Sequence, residues 1–133
     1  MTTEELIEKA KNGDADAQWK LGRCYYHGDG VEQDYDEAAK WYALSASQNN
    51  AHAQYRLGRC YYHGEGVNKN FEKAAEYYEL AYKQGHIDAT ARLGRCYYYG
   101  EGVPRNIQKA ADLFREAAAK GSYDAQKALN SLY

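Results

Sequence analysis

The residues best suited to binding chemistry in this chain are arginines and tyrosines that recur every 36 positions. One hexapeptide, Leu-Gly-Arg-Cys-Tyr-Tyr, occurs three times without a change, beginning at Leu21, Leu57 and Leu93. Arginine can hold a carboxylate through two parallel hydrogen bonds, and arginine and aromatic side chains dominate binding hot spots. The spacing therefore predicts parallel rows of side chains that suit the binding of a peptide or a protein.

The three cysteines, Cys24, Cys60 and Cys96, occupy equivalent positions in these copies. If helices stack at roughly 8–10 Å, equivalent positions in successive units are too far apart for a disulfide, which needs Cα atoms within about 7 Å. We therefore expect free thiols that are packed in a core and have no redox or catalytic role. Free thiols also suit a reducing compartment.

The histidines do not form a metal-ligand set in the sequence. His27 and His63 lie one unit apart, at about 10 Å if helices stack, and His52 and His86 have no ligand-type residue four positions later. The chain has no Ser-x-x-Lys, Gly-x-Ser-x-Gly, phosphate-loop or His-Glu-x-x-His motif. We therefore expect no catalytic residues, no metal and no cofactor, and we do not expect an enzyme.

Charge and hydropathy argue against two classes of partner. The formal net charge is −2, so the chain lacks the positive excess that binds a phosphate backbone. No apolar run reaches the length of a signal or membrane segment, and residues 1–5 are polar and acidic after the first methionine. We expect no nucleic-acid and no membrane partner, and a cytoplasmic protein without a signal peptide.

A repeated structural unit must position the candidate binding residues. Each hexapeptide runs into a Gly-acidic-Gly-Val turn, as at residues 28–31, and helix-type periodicity fills the rest of the 36-residue unit. Such a period is typical of a helical repeat array. The sequence thus predicts one all-α domain, residues 1–133, of tandem helix hairpins with about eight helices. Its parts are an N-terminal half-repeat cap (1–14), three repeats (15–50, 51–86 and 87–122) and a C-terminal helix (123–133).

A stripe of apolar residues predicts the first helix of each repeat. In the first copy Ala17, Leu21, Cys24 and Tyr25 follow the spacing of one buried helix face. Glycine inside a helix costs about 1 kcal/mol relative to alanine, so Gly22 and its copies indicate close contact with another helix. The predicted first helices are Ala15 to His27, Ala51 to His63 and Ile87 to Tyr99.

The second helix of each repeat is predicted to begin after an N-cap residue, namely Asp34, Asn70 or Asn106. Alanine pairs follow and allow tight packing. Gly85 and Gly121 are expected to end two of these helices.

The pattern Leu-Gly-x-x-Tyr-x-x-Gly-x-Gly-Val, followed by Asp or Asn, by Lys-Ala and by a Trp-Tyr pair, resembles the Sel-one-like repeat family. This family is a branch of the tetratricopeptide-like repeats, and the resemblance covers nearly the whole chain. Glu37 replaces the preferred lysine, and Leu113 with Phe114 replaces one Trp-Tyr pair. The resemblance implies a right-handed α/α superhelix that serves as an adaptor or scaffold for protein partners.

Some cysteine-rich bacterial members of that family carry two cysteines per repeat, are secreted and bind β-lactam compounds. This chain has one cysteine per repeat. The disulfide pattern and the export of those members therefore do not carry over.

The resemblance also implies that the first helices line the concave face of the superhelix. At about 10 Å per repeat, one row of side chains would meet roughly every third residue of an extended peptide. The candidate partner-binding residues are Trp19, Arg23, Tyr26, His27, Tyr55, Arg59, Tyr62, His63, Arg95, Tyr98 and Tyr99.

Structural roles for these residues compete with binding. The three arginines could pair with the carboxylates of the turns, at Asp29, Glu65 and Glu101, or with other carboxylates, and so tie neighbouring repeats together. The tyrosines Tyr26, Tyr62 and Tyr98 could be partly buried between first helices.

At the level of function, the main hypothesis is a protein-interaction adaptor that binds a peptide or partner protein. The alternative is a structural or engineered, consensus-like repeat scaffold without a native ligand. A remote alternative is a weak small-molecule binder or hydrolase of the β-lactam type. We expect a monomer. The alternative is a weak dimer through the C-terminal helix, because no helix cap follows Leu132 and Tyr133, and these apolar residues could contact a second chain.

Overall fold

The computed structural model describes residues 1–132, which contain eight α-helices and no strand. The helices are α1 (Thr3–Lys11), α2 (Ala15–His27), α3 (Tyr35–Ser47), α4 (Ala51–His63), α5 (Phe71–Lys83), α6 (Ile87–Tyr99), α7 (Ile107–Ala119) and α8 (Tyr123–Leu132). The prediction of an all-α solenoid with about eight helices is confirmed. Tyr133, which the dimer alternative names, lies outside the described residues.

Consecutive helices pack into hairpins, and the hairpins stack. Within each repeat the first helix packs closely on the second, as α2 does on α3, α4 on α5 and α6 on α7. Each second helix then packs on the next first helix, while α1 and α8 cover the two ends. The core is a row of linked clusters, in which Leu21, Leu57 and Leu93 are each at most 2% exposed.

Local caps determine where the helices begin and end. Asn70 caps α5, because its Oδ1 accepts a hydrogen bond from the backbone N–H of Lys73 at 3.0 Å. Asp34 and Asn106 cap α3 and α7 with their side chains in the same way. The first helix α4 ends at Gly64, whose φ of 70° lies in the left-handed region that glycine adopts without strain. The predicted first-helix ranges and second-helix N-caps are confirmed.

Glycines inside the first helices allow close contact within each hairpin. A Cβ atom built on Gly58 would lie 2.7 Å from Cε1 of the Tyr78 ring. Gly22 meets Tyr42 in the same way, and Gly94 meets a phenylalanine. The close helix contact predicted from these glycines is confirmed.

A second glycine contact joins successive repeats. Gly66, in the turn after α4, has a φ of 77° and lies directly against the backbone carbonyl of Tyr35, at the start of α3. At the next boundary between repeats, Gly102, in the turn after α6, lies against the backbone carbonyl of Phe71 at the start of α5. Because the neighbouring atoms are backbone, no rotamer change can make room for a side chain there.

Glutamines tie the opposite edge of the repeats. Gln84 Nε2 donates to the backbone oxygen of Asn49 at 3.0 Å and to Oε1 of the buried Gln54 at 2.8 Å. Gln48 makes the corresponding bonds one repeat earlier, to Gly13 and Gln18. These bonds satisfy buried amide groups that would otherwise destabilise the interface.

The cysteines are free thiols, as predicted, and two of them lie fully in the core. Cys60 and Cys96 are buried, whereas Cys24 is half-buried. Burial raises the pKa of the Cys60 and Cys96 thiols to about 12. Both therefore stay protonated at neutral pH, which suits a packing role rather than a nucleophilic one.

A buried hydroxyl in α5 predicts a stabilising substitution. Tyr78 is 0% exposed, and its hydroxyl has no hydrogen-bond partner within the described residues. Phe114 fills the equivalent position in the third repeat. We expect Tyr78→Phe to raise the free energy of unfolding by about 1 kcal/mol, because a buried polar group without a partner is destabilising.

Urea unfolding followed by far-ultraviolet circular dichroism measures this change. The half-buried neighbour Tyr77 provides the control, since Tyr77→Phe should be nearly neutral. A loss of stability in Tyr78→Phe would show that the hydroxyl has a partner in solution.

Candidate functional site

The first helices of the three repeats present the same four positions on one face, which we call the first-helix face. The first position holds an aromatic residue in two repeats, the second an arginine, the third a tyrosine and the fourth a histidine or tyrosine. In repeat order these residues are Trp19, Tyr55 and Ala91; Arg23, Arg59 and Arg95; Tyr26, Tyr62 and Tyr98; and His27, His63 and Tyr99.

The aromatic residues of the first position are buried, which differs from the prediction that they project from the helix into a groove. Trp19 and Tyr55 are each 8% exposed. The Trp19 ring stacks on His52 of the next repeat with centroids 4.8 Å apart, and the Tyr55 ring stacks on His86 at the same distance. Both rings are therefore drawn into the boundary between repeats and support the face from beneath.

The two histidines join these pairs into a continuous chain of four rings, which we call the ring stack (Trp19, His52, His86 and Tyr55). His52 Nδ1 lies 3.3 Å from His86 Nε2, and the two rings meet edge to face. Sequence reasoning treated these histidines as isolated. The residues are 34 positions apart, a spacing that carries no recognised signal, so only the structure reveals the contact.

The arginines of the second position lie over aromatic rings. Arg23 lies 4.7 Å from the centre of the Trp19 ring, and Arg59 lies 5.9 Å from that of Tyr55. In the described part of the chain, none of the three arginines forms an ion pair with a carboxylate. The alternative that they pair with the turn carboxylates is therefore wrong, and Arg23 keeps an exposed guanidinium.

Two tyrosines of the third position, Tyr26 and Tyr62, bind the turn carboxylates instead. The Tyr26 hydroxyl donates a hydrogen bond to Glu65 Oε1 at 2.8 Å, and Tyr62 donates to Glu101 in the same way. Burial and this hydrogen bond raise the pKa of Tyr26 to about 12, so the hydroxyl remains a donor. The expectation that the three tyrosines are partly buried is confirmed. The hydroxyls of Tyr26 and Tyr62 tie neighbouring repeats together.

The residues of the fourth position lie exposed at the ends of the first helices. His27 meets the Tyr26 ring edge to face with centroids 5.0 Å apart, and His63 and Tyr99 repeat the arrangement. Partial burial of its ring lowers the pKa of His63. These side chains border the face and are accessible to a partner.

One end of the first-helix face contains a cavity of about 410 Å³ between α6 and α8. Its lining includes Tyr55, Arg95, Tyr98 and Tyr99, which the sequence indicated, and also Arg92 and Lys127, which it did not. Position 127 falls one unit after Trp19, Tyr55 and Ala91, at the first position of the face, but the aromatic residues of the earlier repeats did not predict a lysine there. The cavity thus brings four predicted residues together, while the remaining ones extend along the face towards α2.

Two kinds of site have no counterpart within residues 1–132. No group of three or more His, Cys, Asp or Glu side chains is arranged to hold a metal ion. Across the same residues, no helix combines the length and apolar character needed to cross a membrane.

The ring stack predicts that stability depends on pH. His86 Nδ1 accepts a hydrogen bond from the Ala89 N–H at 3.1 Å and caps α6, so this nitrogen must be unprotonated. Burial lowers the pKa of His86; the charges of His52 and Arg56 act in the same direction and that of Asp88 opposes them. Because the folded pKa lies below the ordinary 6.5, the unfolded chain binds more protons in mildly acidic solution. We expect full stability above about pH 7 and a loss as the pH falls below about 6.5.

Urea unfolding at about pH 7.5 and at about pH 5 measures this loss. His86→Asn is the matched control, because Asn50 caps α4 at the equivalent position and asparagine does not titrate. The variant should lose less stability on acidification than the unmodified chain. Equal losses in the two proteins would contradict the role of His86.

Comparison with known proteins places the geometry among related arrays. The model of the family described as Sel1 repeat matches residues 15–50, 51–86 and 87–122. A Sel1 repeat protein from Oxalobacter formigenes is 38% identical, with a TM-score of 0.84 and 96% of each chain covered. A search of curated proteins gave no significant match.

Two further structures are similar to this chain. A protective antigen of uropathogenic Escherichia coli with an SLR fold is 32% identical with a TM-score of 0.88, and the match covers 90% of this chain and 26% of the antigen. The cysteine rich protein B of Helicobacter pylori is 25% identical with a TM-score of 0.74, and the match covers 97% of this chain and 98% of that protein.

Proposed function

Because the chain belongs to the Sel1 repeat family, we propose that it is a scaffold that binds an extended peptide or a segment of a partner protein. The first-helix face is the proposed binding surface, and we propose that it forms the concave side of the solenoid. Sel1 repeat proteins generally act as protein-interaction scaffolds and are typically not enzymes. The partner of this chain is proposed to be a protein rather than a nucleic acid.

The observation that carries the proposal is the row of arginines held on aromatic rings. A guanidinium that stacks on a ring keeps its N–H groups directed outward and is more ordered than a free side chain. Arg23 and Arg95 are exposed, and neither forms an ion pair in the described residues. Both can therefore hold carboxylates of a partner in two parallel hydrogen bonds.

The structural roles of the other positions of the face support the same function. The hydroxyls of Tyr26 and Tyr62 are engaged in contacts between repeats, so these residues stiffen the face rather than bind through their tips. Trp19 and Tyr55 stiffen it from below. A face that is already ordered loses less conformational entropy when a partner binds.

The test is a selection from a library of random peptides, followed by affinity measurement on the recovered sequences. We expect acidic peptides, and we expect the double change Arg23→Glu and Arg95→Glu to weaken their binding at least about tenfold, or ~1.4 kcal/mol. The same charge change at exposed lysines of the second helices, Lys40→Glu and Lys83→Glu, is the matched control and should have little effect.

Two outcomes would contradict the proposal. Equal weakening by both double variants would mean that the peptides respond only to net charge. Failure to recover any peptide would favour the alternative of a repeat scaffold without a ligand. The remote alternative of a β-lactam-type binder or hydrolase predicts instead that such a compound binds or is hydrolysed.

We also propose that the protein is a monomer and that it is located in the cytoplasm. The three cysteines are free, which suits a reducing compartment. Sedimentation equilibrium checks the monomer; a mass of two chains that reverts to one on Leu132→Glu would favour the dimer through α8.

A further inference from the structure

The cavity between α6 and α8 lies where the third repeat departs from the other two. Trp19 and Tyr55 place large rings at the first position of the first-helix face, but the third repeat has Ala91 there. Ala91 lines the cavity. The third repeat therefore lacks one aromatic ring at the place where this cavity lies.

The walls of the cavity match the surroundings of the rings that are present. The Tyr55 ring lies 6.1 Å from the Tyr78 ring, and Phe114, the counterpart of Tyr78, lines the cavity. Arg59 covers the Tyr55 ring, and its counterpart Arg95 also lines the cavity. An aromatic ring that enters would thus meet an aromatic wall and a guanidinium, as Tyr55 does within the protein.

Arg95 differs from its counterparts because Ala91 gives it no ring four residues earlier. Its guanidinium instead lies 5.5 Å from the centre of the Tyr99 ring and 5.9 Å from that of the Tyr62 ring. Ala91 contributes only a methyl group to the lining of the cavity, where a Trp or Tyr ring would fill space.

The charges around the cavity favour a ligand with a carboxylate. Arg92, Arg95 and Lys127 supply three positive charges, against two negative charges from Asp88 and Asp124. These charged side chains line the same cavity as the rings of Tyr55 and Phe114. A ligand that combines a ring with a neighbouring carboxylate would satisfy both features.

We propose that this cavity is a specific pocket for an aromatic side chain of the partner, with an acidic group next to it, and that it anchors the bound segment at the α6–α8 end of the face. The proposal rests on the proposed function, because it assigns one subsite of that surface. It adds the chemical class of the anchor residue, which the arginine row alone does not define.

The test uses 3-(4-hydroxyphenyl)propionate, a small molecule with one phenol ring and one carboxylate. We expect saturable binding with a dissociation constant of about 1 mM in an NMR titration, as suits so few atoms. Nuclear Overhauser effects should join the probe ring to the Ala91 methyl group. The corresponding amide, which lacks the charge, should bind several-fold more weakly.

Ala91→Tyr restores the ring that the other repeats carry and should abolish saturable binding while helix content is kept. Ala43→Tyr, which adds the same ring at an exposed position of α3, is the matched control and should bind the probe normally. Absence of saturation in the unmodified chain, or unchanged binding by a folded Ala91→Tyr, would overturn the proposal. The Overhauser contact with Ala91 tests it even if the variant fails to fold.

This experiment needs no protein partner, so its result is separate from that of the peptide selection. A cavity that rejects the probe on a face that still binds acidic peptides would refute the pocket alone. A cavity that binds the probe on a face that binds no peptide would refute the scaffold proposal, and with it the assignment of the ligand to a partner, but would leave a pocket for an aromatic carboxylate.

Discussion

Gly66→Ala should lower the free energy of unfolding by about 3 kcal/mol, although it adds a single methyl group. The residue has a φ of 77°, where alanine is strained, and the new Cβ would lie 2.6 Å from the carbonyl carbon of Tyr35 and overlap its oxygen. Both atoms belong to the first turn of α3. Relief therefore requires the two repeats to move apart, which opens the core between them.

The variant Gly85→Ala measures the cost of backbone strain without a contact between repeats. Gly85 has a similar φ of 83°, but no atom lies within 4 Å of its added Cβ. We expect a loss of about 1 kcal/mol there, from backbone strain alone. Urea unfolding of both variants measures the difference, and equal losses would show that the approach of Gly66 to α3 contributes nothing.

Gly58→Leu should have an effect of similar size through a different contact. The Cβ would lie 2.7 Å from Cε1 of Tyr78 and 3.3 Å from the backbone oxygen of Ala74, so α4 and α5 would be forced apart. Overfilling of a packed core costs about 1–3 kcal/mol and more for larger groups, which exceeds the gain of about 1 kcal/mol from replacing glycine in a helix. We expect a net loss of about 3 kcal/mol.

A double-mutant cycle with Tyr78→Ala identifies the cause. Removal of the ring makes space for the leucine, so the double variant should be more stable than the sum of the single changes predicts, by at least about 1 kcal/mol. Ala43→Leu adds a leucine at an exposed position of α3 and should be nearly neutral. Additive effects at positions 58 and 78 would contradict the proposed contact.

The helices could be predicted from the sequence because their determinants are local. A cap such as Asn70 and a stop such as Gly64 act within one turn of the chain, and three copies repeat the same signal. The interior glycine at Gly58 likewise indicated a close helix neighbour, although not that Tyr78 supplies the ring.

The site could be predicted only in part, because it depends on the angle between repeats. Helical periodicity placed Trp19 and Tyr55 off the buried stripe of their own helix, but the next repeat covers both. The contact of His52 with His86 has the same origin. Ala91 departs from the aromatic residues of the other repeats in the sequence, but the cavity that it lines also involves α8, which only the structure places beside α6.

The prediction that the arginines pair with the turn carboxylates is wrong because tyrosine hydroxyls donate hydrogen bonds to the same carboxylates. Glu65 lies within reach of the tyrosine of the preceding repeat, which offers a short hydrogen bond of 2.8 Å. Sequence reasoning counted charges and so paired carboxylates with guanidinium groups. It had no means of placing the Tyr26 hydroxyl at the turn.

The packing of every helix chiefly on its immediate neighbours in the chain has a consequence for how the protein folds. Such an arrangement has a low contact order, so little loop-closure entropy opposes folding and the array should form rapidly. Any hairpin can act as the nucleus from which structure propagates in both directions. Unfolding then begins at the termini, and the backbone amides of α4 and α5, which have a repeat on either side, exchange their hydrogens last.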